Sequence, residues 1–165
     1  MTAFHRIVFL TLVVSVPFYS RAADDEYSRE SLRGVTALRV VVEPPNWERL
    51  DIGLSMEQLR TAIELKLRLA GIKVVDAKSR TVPYLYLNVL TIGKAPGVIA
   101  FTLRLSFGQT VILERNPKIK PIPAETWSEA LIATVGSNKA TEEVKGDLTA
   151  IVDRFINAYL SVNTK

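Results

Sequence analysis

The stretch SMEQLRTAIELKLRLAGIKVVD, residues 55–76, decides more of the fold than any other part of the chain. Ser55 and Gln58 have the spacing of a capping box, in which each side chain satisfies a free backbone amide of the other. Gly71 is a natural left-handed cap. Between them, apolar residues recur at helical spacing: Leu59, Ala62, Ile63, Leu67 and Ala70. The stretch therefore predicts a helix, a glycine stop and then a strand over residues 72–76.

Residues 35–43 precede this helix and predict the first strand. Leu38, Val40 and Val42 alternate with Arg39 and Glu43, which is the period-two pattern of a half-buried strand. Two prolines follow, and a proline cannot donate to a sheet ladder. Strand, helix and strand in this order predict a βαβ unit with a right-handed crossover.

Further strands are predicted over residues 84–92, about 98–115 and 126–135. The long segment is expected to be one strand bent at Gly108, and the alternative is a hairpin that turns at Gly108 and Gln109. Residues 116–123 contain three prolines, which predicts an irregular connection. A final helix begins near Asn138 or Thr141. Its apolar face comprises Val144, Leu148, Ile151, Val152, Phe155 and Tyr159.

Two amphipathic helices and four or five strands predict an α/β (α+β-like) fold. We expect a two-layer sandwich, with a mixed four- to five-stranded sheet and both helices on one face. The predicted core of the sheet comprises Leu38, Val40, Val42, Ile72, Val74, Leu85, Leu87, Phe101, Leu103 and Leu105.

Residues 1–22 have the three regions of an export signal: a short basic start, the apolar run of residues 7–16, and small residues before a cut after Ala22. The run is half of the about 20 apolar residues that span a membrane, so no stable anchor is expected after cleavage; retention as an anchor is the alternative. Residues 23–33 are charged and predict a flexible leader, and residues 34–165 a single domain. The chain has no cysteine and no Asn-x-Ser/Thr sequon, and the two absences together favour a bacterial periplasmic protein over a eukaryotic secreted one.

The residue inventory excludes much familiar chemistry. His5 is the only histidine and there is no cysteine, so beyond the signal no Ser-His-Asp triad, Cys-His pair or zinc site with nitrogen or sulfur ligands is possible. No catalytic residue, metal or cofactor is predicted. The chain carries a net charge of +4, of which Arg6 and Arg21 contribute two within the signal. The remaining +2 lacks the basic footprint of a nucleic-acid-binding protein.

Three charged residues have an alternative, chemical interpretation. Glu43 and Asp76 close the first two predicted strands, where a pair of acids would suit a carboxylate-dependent hydrolase or an oxygen-ligand metal site. Solvation at the strand ends is the expected role. Lys66 lies within the apolar arc of the first helix, where a catalytic lysine with a lowered pKa is the alternative. We expect its stem to cover the core while the amine reaches water.

Strand alternation gathers a polar set on the sheet face away from the helices: Arg39, Lys73, Tyr84, Tyr86, Thr102, Arg104 and Ser106. Tyrosine and arginine are enriched at binding hot spots. The predicted binding residues are Arg39, Lys73, Tyr84, Tyr86 and Arg104, and a merely solvated face is the alternative.

The element order also resembles the amino-terminal domain of TolB and related small exported bacterial proteins. The resemblance is carried by residues 35–43, 55–70 and 71–75 and by the strands 84–92 and 98–115. It implies a binding role in a cell-envelope assembly. We therefore expect a non-catalytic periplasmic module that binds a protein partner or itself through the open sheet face or an edge. A binder of an anionic small molecule or glycan, using Arg39, Lys73 and Arg104, is the alternative.

Overall fold

The structure is a computed structural model that describes residues 24–44, 53–76 and 82–163. The export signal predicted over residues 1–22 lies outside the described residues. The elements in chain order are α1 (Glu26–Glu30), β1 (Arg39–Val42), α2 (Met56–Leu69), β2 (Tyr84–Ala95), β3 (Val98–Val111), β4 (Ile122–Gly136), a 3₁₀ turn (Ser137–Lys139) and α3 (Ala140–Asn163). Among the described helices, none has the length and apolar character that a membrane span requires.

The four strands form one mixed sheet in the order β1-β2-β3-β4. β1 runs parallel to β2, and the other neighbours are antiparallel. Helices α2 and α3 pack on the sheet and share its hydrophobic core, which confirms the predicted two-layer α/β sandwich. β3 is one continuous strand, so the bent strand rather than the hairpin is correct, and its register with β4 shifts between Phe107 and Gly108.

The helix α2 begins and ends as its sequence predicts. The Ser55 hydroxyl accepts from the Gln58 amide at 3.1 Å, and the Gln58 side chain accepts from the Ser55 amide at 2.8 Å. Gly71 has a φ of 80°, a conformation that glycine adopts without steric cost. The Lys66 ammonium lies 2.8 Å from Asp153 of α3, so this lysine joins the two helices at the surface.

The strand predicted over residues 72–76 is much shorter in the structure than the sequence pattern suggests. Its described part makes a single parallel bridge, between Leu38 and Val74. The Ile72 amide donates to the Leu67 carbonyl at 2.9 Å. Because this bond closes the C-terminal end of α2, the amide is not available to a sheet ladder.

The segment predicted as a flexible leader, residues 23–33, contains the helix α1 in its described part. Asp25 and Ser28 form a capping box that starts α1, and Leu32 is fully buried. Gly34 and Leu32 are tied to Asn163, with bonds of 2.8 and 2.9 Å to its side-chain amide. A single buried leucine and these polar ties therefore hold a segment that is otherwise charged.

The core is centred on Phe155 of α3, which is fully buried. Its ring lies 5.1 Å from Trp127, 5.8 Å from Phe107 and 6.4 Å from Tyr159, measured between ring centroids. The Trp127 indole donates to Asp24 at 3.1 Å, so this tryptophan is a core residue with a satisfied N–H. Every residue of the predicted core is buried except Val74, which packs against it partly exposed.

One charged pair lies within the helix–sheet layer. Glu129 is only 4% exposed and lies on the core face of the edge strand β4, where Arg154 of α3 donates to its carboxylate. Asp147 is two turns before Arg154 on α3, and its Oδ2 atom is buried without a hydrogen-bond partner among the described residues. Burial, and secondarily the Glu143 charge, raises the pKa of Asp147, while the Arg154 charge opposes the shift.

Replacing Asp147 with asparagine should stabilise the protein at neutral pH. A raised carboxyl pKa means that the folded state binds the proton more tightly than the unfolded chain, so stability falls as pH rises above the ordinary value of 3.8. We expect D147N to have a higher Tm than the parent at pH 7, with the gain shrinking toward pH 3. Thermal unfolding followed by circular dichroism measures this. The exposed Glu142→Gln on the same helix is the control, and a Tm difference independent of pH would contradict the assignment.

Candidate functional site

The side of the sheet away from α2 and α3 is called the open face here, and the strand register arranges its side chains in rows. Tyr84 of β2 lies between Arg39 and Gly108, and the next rows place Tyr86 beside Ser106 and Asn88 beside Arg104. Of the predicted set, Arg39, Tyr84, Tyr86, Arg104 and Ser106 are brought together, with Thr102 one row further. Lys73 is exposed beyond β1 and does not line the central depression.

The position of the Tyr84 ring is defined on two sides. The Arg39 guanidinium lies 5.0 Å from the ring centroid, a cation–π distance. On the other side, a Cβ added to Gly108 would overlap with the Tyr84 Cζ atom. The ring therefore occupies the space that any side chain at position 108 would need, and glycine is required for this arrangement.

Glu43 follows β1 and is held by two donors from β2. The Tyr86 hydroxyl and the Asn88 side-chain amide both donate to its Oε2 atom. The bond from Tyr86, and then that from Asn88, lowers the pKa of Glu43. The same bond to Glu43, with burial second, raises the pKa of Tyr86 to about 12. At neutral pH the pair is thus a carboxylate and a protonated phenol that fix each other's positions.

The structure does not bring Glu43 and Asp76 together. Leu38 and Val74 are bridge partners, so Glu43 is five residues beyond the bridge and Asp76 only two. Three residues of extended chain correspond to an offset of about 10 Å along the strands. Among the described residues, no group of three or more His, Cys, Asp or Glu side chains is placed to hold a metal ion. The paired-acid interpretation therefore has no geometric support.

A shallow depression of about 400 Å³ lies at the centre of the open face. Its floor is Ser106 and Gly108 of β3. Tyr84 and Tyr86 stand on one side, and the ion pair between Arg104 and Glu125 stands on the other. The charges of Arg104 and Glu125 balance each other. The depression therefore combines an aromatic surface with an ion pair that has no net charge.

Glu125 is a residue of this face that the sequence pattern misses. Trp127 is a core residue, and simple alternation would place Glu125 on the core face as well. The register shift at Gly108 adds one residue to β4, which pairs Gly108 with Glu125 rather than Thr126. Such a bulge reverses the alternation. The only signal in the sequence is Gly108 itself, which was predicted as a bend.

Next to the depression, the open face becomes apolar. Leu90, Thr102 and Ile132 form one row across three strands. Leu90 is 45% exposed and Ile132 63% exposed. The open face therefore combines a polar and aromatic depression with an adjoining apolar row.

No family model matches this chain, and no curated protein sequence matches it. Among solved structures, it is similar to a PelC dodecamer from Paraburkholderia phytofirmans, with a TM-score of 0.46 and 13% identity over 91% of this chain and 100% of that one. The rare lipoprotein B from Shewanella oneidensis gives a TM-score of 0.34 and 18% identity over 74% of this chain and 94% of that one. A minor lipoprotein from Acinetobacter baumannii gives a TM-score of 0.25 and 14% identity over 78% of this chain and 87% of that one. With TM-scores below one half, these likenesses say nothing about what this chain binds, and they do not confirm the resemblance to TolB.

Proposed function

We propose that this chain is a non-catalytic, exported interaction module that binds a protein partner through the open face. One observation carries the proposal. Tyr84 and Tyr86 stand on the open face beside the depression, and both are held by contacts made within that face. Tyrosine is among the residue types that dominate binding energy when a partner covers them.

The contacts within the open face favour binding because they reduce its entropic cost. Arg39 and Gly108 confine the Tyr84 ring, and Glu43 confines Tyr86 and Asn88. A side chain that is already ordered loses little conformational freedom when a partner contacts it. The face is therefore preorganised in its unbound form.

The charge balance of the face argues against the alternative of an anionic ligand. Arg104 is engaged by Glu125, and Glu43 adds a second carboxylate on the same face. Lys73 does not line the depression. An anion would therefore meet two carboxylates as well as the arginines. A hydrolase is disfavoured as well, because Glu43 is occupied by two donors and is offset from Asp76.

The edges of the sheet, at β1 and at β4, are the other surfaces to which a partner could add a strand. Each is partly covered: Leu38, just before β1, forms a parallel bridge with Val74, and the Ser31 hydroxyl lies 3.4 Å from the Thr126 carbonyl of β4. The open face offers the tyrosines, the depression and the apolar row in one continuous area. We therefore assign the partner, whether another protein or a second copy of this chain, to the face.

A photo-crosslinking residue at Ile132 tests the proposal. Ile132 is exposed on the open face, and Tyr27, which is 88% exposed on α1, is the matched control position. We expect a specific protein to be captured at Ile132 and not at Tyr27. Capture of a second copy of this chain would indicate self-association through the same face, and no specific product at Ile132 would overturn the proposal.

The affinity of the captured partner for substituted proteins then locates the hot spot. Tyr86→Ala should weaken binding by roughly 30-fold, the effect of a typical hot-spot truncation. Arg104→Ala should also weaken binding, and Tyr27→Ala should not. Calorimetric titration measures the affinities, and thermal unfolding checks that the variants remain folded. Unchanged affinity in both open-face variants would reject this surface.

The exported state is tested separately. Sequencing the amino terminus of the protein recovered from the periplasm should give Ala23 as its first residue. An intact Met1 would contradict cleavage and leave the binding proposal unaffected.

A further inference from the structure

A second concave site lies in the helical layer, between α2 and α3. It is a crevice of about 220 Å³. Its walls are mainly aliphatic side chains from both helices and from the turn before α2: Leu54, Leu59, Ala62, Ile63, Leu148 and Val152. An interior of this kind excludes polar ligand groups, because they would lose their hydrogen bonds to water.

Polar groups are confined to the rim of the crevice. Lys66 is engaged by Asp153 at 2.8 Å, and the Thr149 hydroxyl donates to the Lys145 carbonyl at 2.9 Å. Lys145 is exposed, and its ammonium makes no ion pair with another described residue. The rim therefore carries one positive charge that the described part of the chain does not neutralise.

The crevice opens onto the surface beside this charge. A shallower depression along α2 shares Gln58, Ala62 and Lys145 with it, and its lining includes Leu65, which is 55% exposed. Glu57 is the carboxylate of this outer depression and lies one residue from Gln58, toward the start of α2. An anionic group entering from solvent is therefore attracted to Lys145 and disfavoured near Glu57.

We propose that the crevice binds the alkyl chain of a single-chain amphiphile whose anionic head group lies beside Lys145. An apolar interior with a few polar groups at its mouth is the usual character of a ligand site, and the free ammonium selects the sign of the head-group charge. At about 30 Å³ for each water-sized group, the volume of 220 Å³ holds roughly seven methylene-sized units. The ligand class is thus a medium-chain carboxylate. The site is distinct from the open face and does not depend on the function proposed there.

Octanoate is the probe for this proposal, added below its micelle concentration to the purified, ¹⁵N-labelled protein. We expect saturable chemical-shift changes at amides of α2 and α3 around the crevice and none on the open face. Octylammonium, with the same chain and the opposite charge, should bind roughly threefold more weakly, because it loses the exposed ion pair with Lys145. Equal affinity for the two probes would overturn the assignment of the head group, and the absence of saturable shifts would overturn the site.

Two pairs of variants locate the ligand. Lys145→Glu should weaken octanoate binding by roughly threefold to tenfold through charge reversal, whereas Lys139→Glu, which is exposed and outside the crevice, should leave it unchanged. Ala62→Phe should abolish binding by filling the crevice, and Ala150→Phe adds the same ring to an exposed position of α3 that does not line it. Lys145 is exposed, so K145E tests the head-group site even if the Ala62 variant does not fold. Equal effects within either pair would overturn the proposal.

Discussion

Phe155→Ala should lower the free energy of unfolding by about 4 kcal/mol, the usual cost of removing a large aromatic side chain from a core. Phe155 is fully buried and its ring contacts Phe107, Trp127 and Tyr159, which belong to β3, β4 and α3. These neighbours are large and are held in three different elements, so they cannot move far enough to fill the cavity that the substitution leaves. Urea denaturation followed by circular dichroism measures the loss.

Tyr27→Ala is the control for this substitution. It also removes an aromatic ring from a helix, but Tyr27 is 88% exposed, and surface substitutions usually change stability by about 0.5 kcal/mol or less. A loss for Phe155→Ala no larger than that for Tyr27→Ala would show that α3 is not the central element of the core.

Arg154→Met should destabilise the protein by about 3 kcal/mol, because it leaves a buried carboxylate without its cation. Glu129 is 4% exposed on the core face of β4, and Arg154 reaches it from α3. Replacing both residues, as Glu129→Leu with Arg154→Met, should recover most of the loss, since an apolar pair has no charge to desolvate. Together with the parent and the single variant Glu129→Leu, these two proteins form a double-mutant cycle that is measured by urea denaturation.

Arg68→Met is the control for the buried pair. Arg68 bonds Glu64 at 2.8 Å on α2, but the two side chains are 54% and 23% exposed. An exposed pair of this kind contributes about 0.5 kcal/mol. If Arg154→Met cost no more than Arg68→Met, or if the double variant were the least stable of the set, burial of Glu129 would not be the cause.

The sequence predicts best where a local pattern decides the structure. Ser55, Gln58 and Gly71 mark both ends of α2, because caps depend on a few neighbouring residues. Strand alternation likewise places Tyr84, Tyr86 and Arg104 on one face. Their proposed binding role remains a prediction that only a partner can test.

The sequence predicts less well where distant residues decide the structure. The segment before β1 looks like a charged leader, because its order comes from burial of Leu32 and from bonds to Asn163 at the far end of the chain. The predicted strand ends pair Glu43 with Asp76, whereas the register of β1 with β2 gives Glu43 the partners Tyr86 and Asn88. Glu125 precedes the strand predicted over residues 126–135, and one bulge reverses the alternation of β4, so the pattern does not place this residue on the open face. None of these contacts leaves a periodic signal.

The fit between Tyr84 and Gly108 also constrains how relatives of this protein can diverge. A Cβ at position 108 and a ring at position 84 cannot share the same space, so the two positions should covary across the sheet. Where a homologue carries a side chain at the position of Gly108, the position of Tyr84 should hold a small residue. The arginine at the position of Arg39 should then lose its cation–π contact. A pair of positions 24 apart in the chain would thus record whether a homologue has kept this surface.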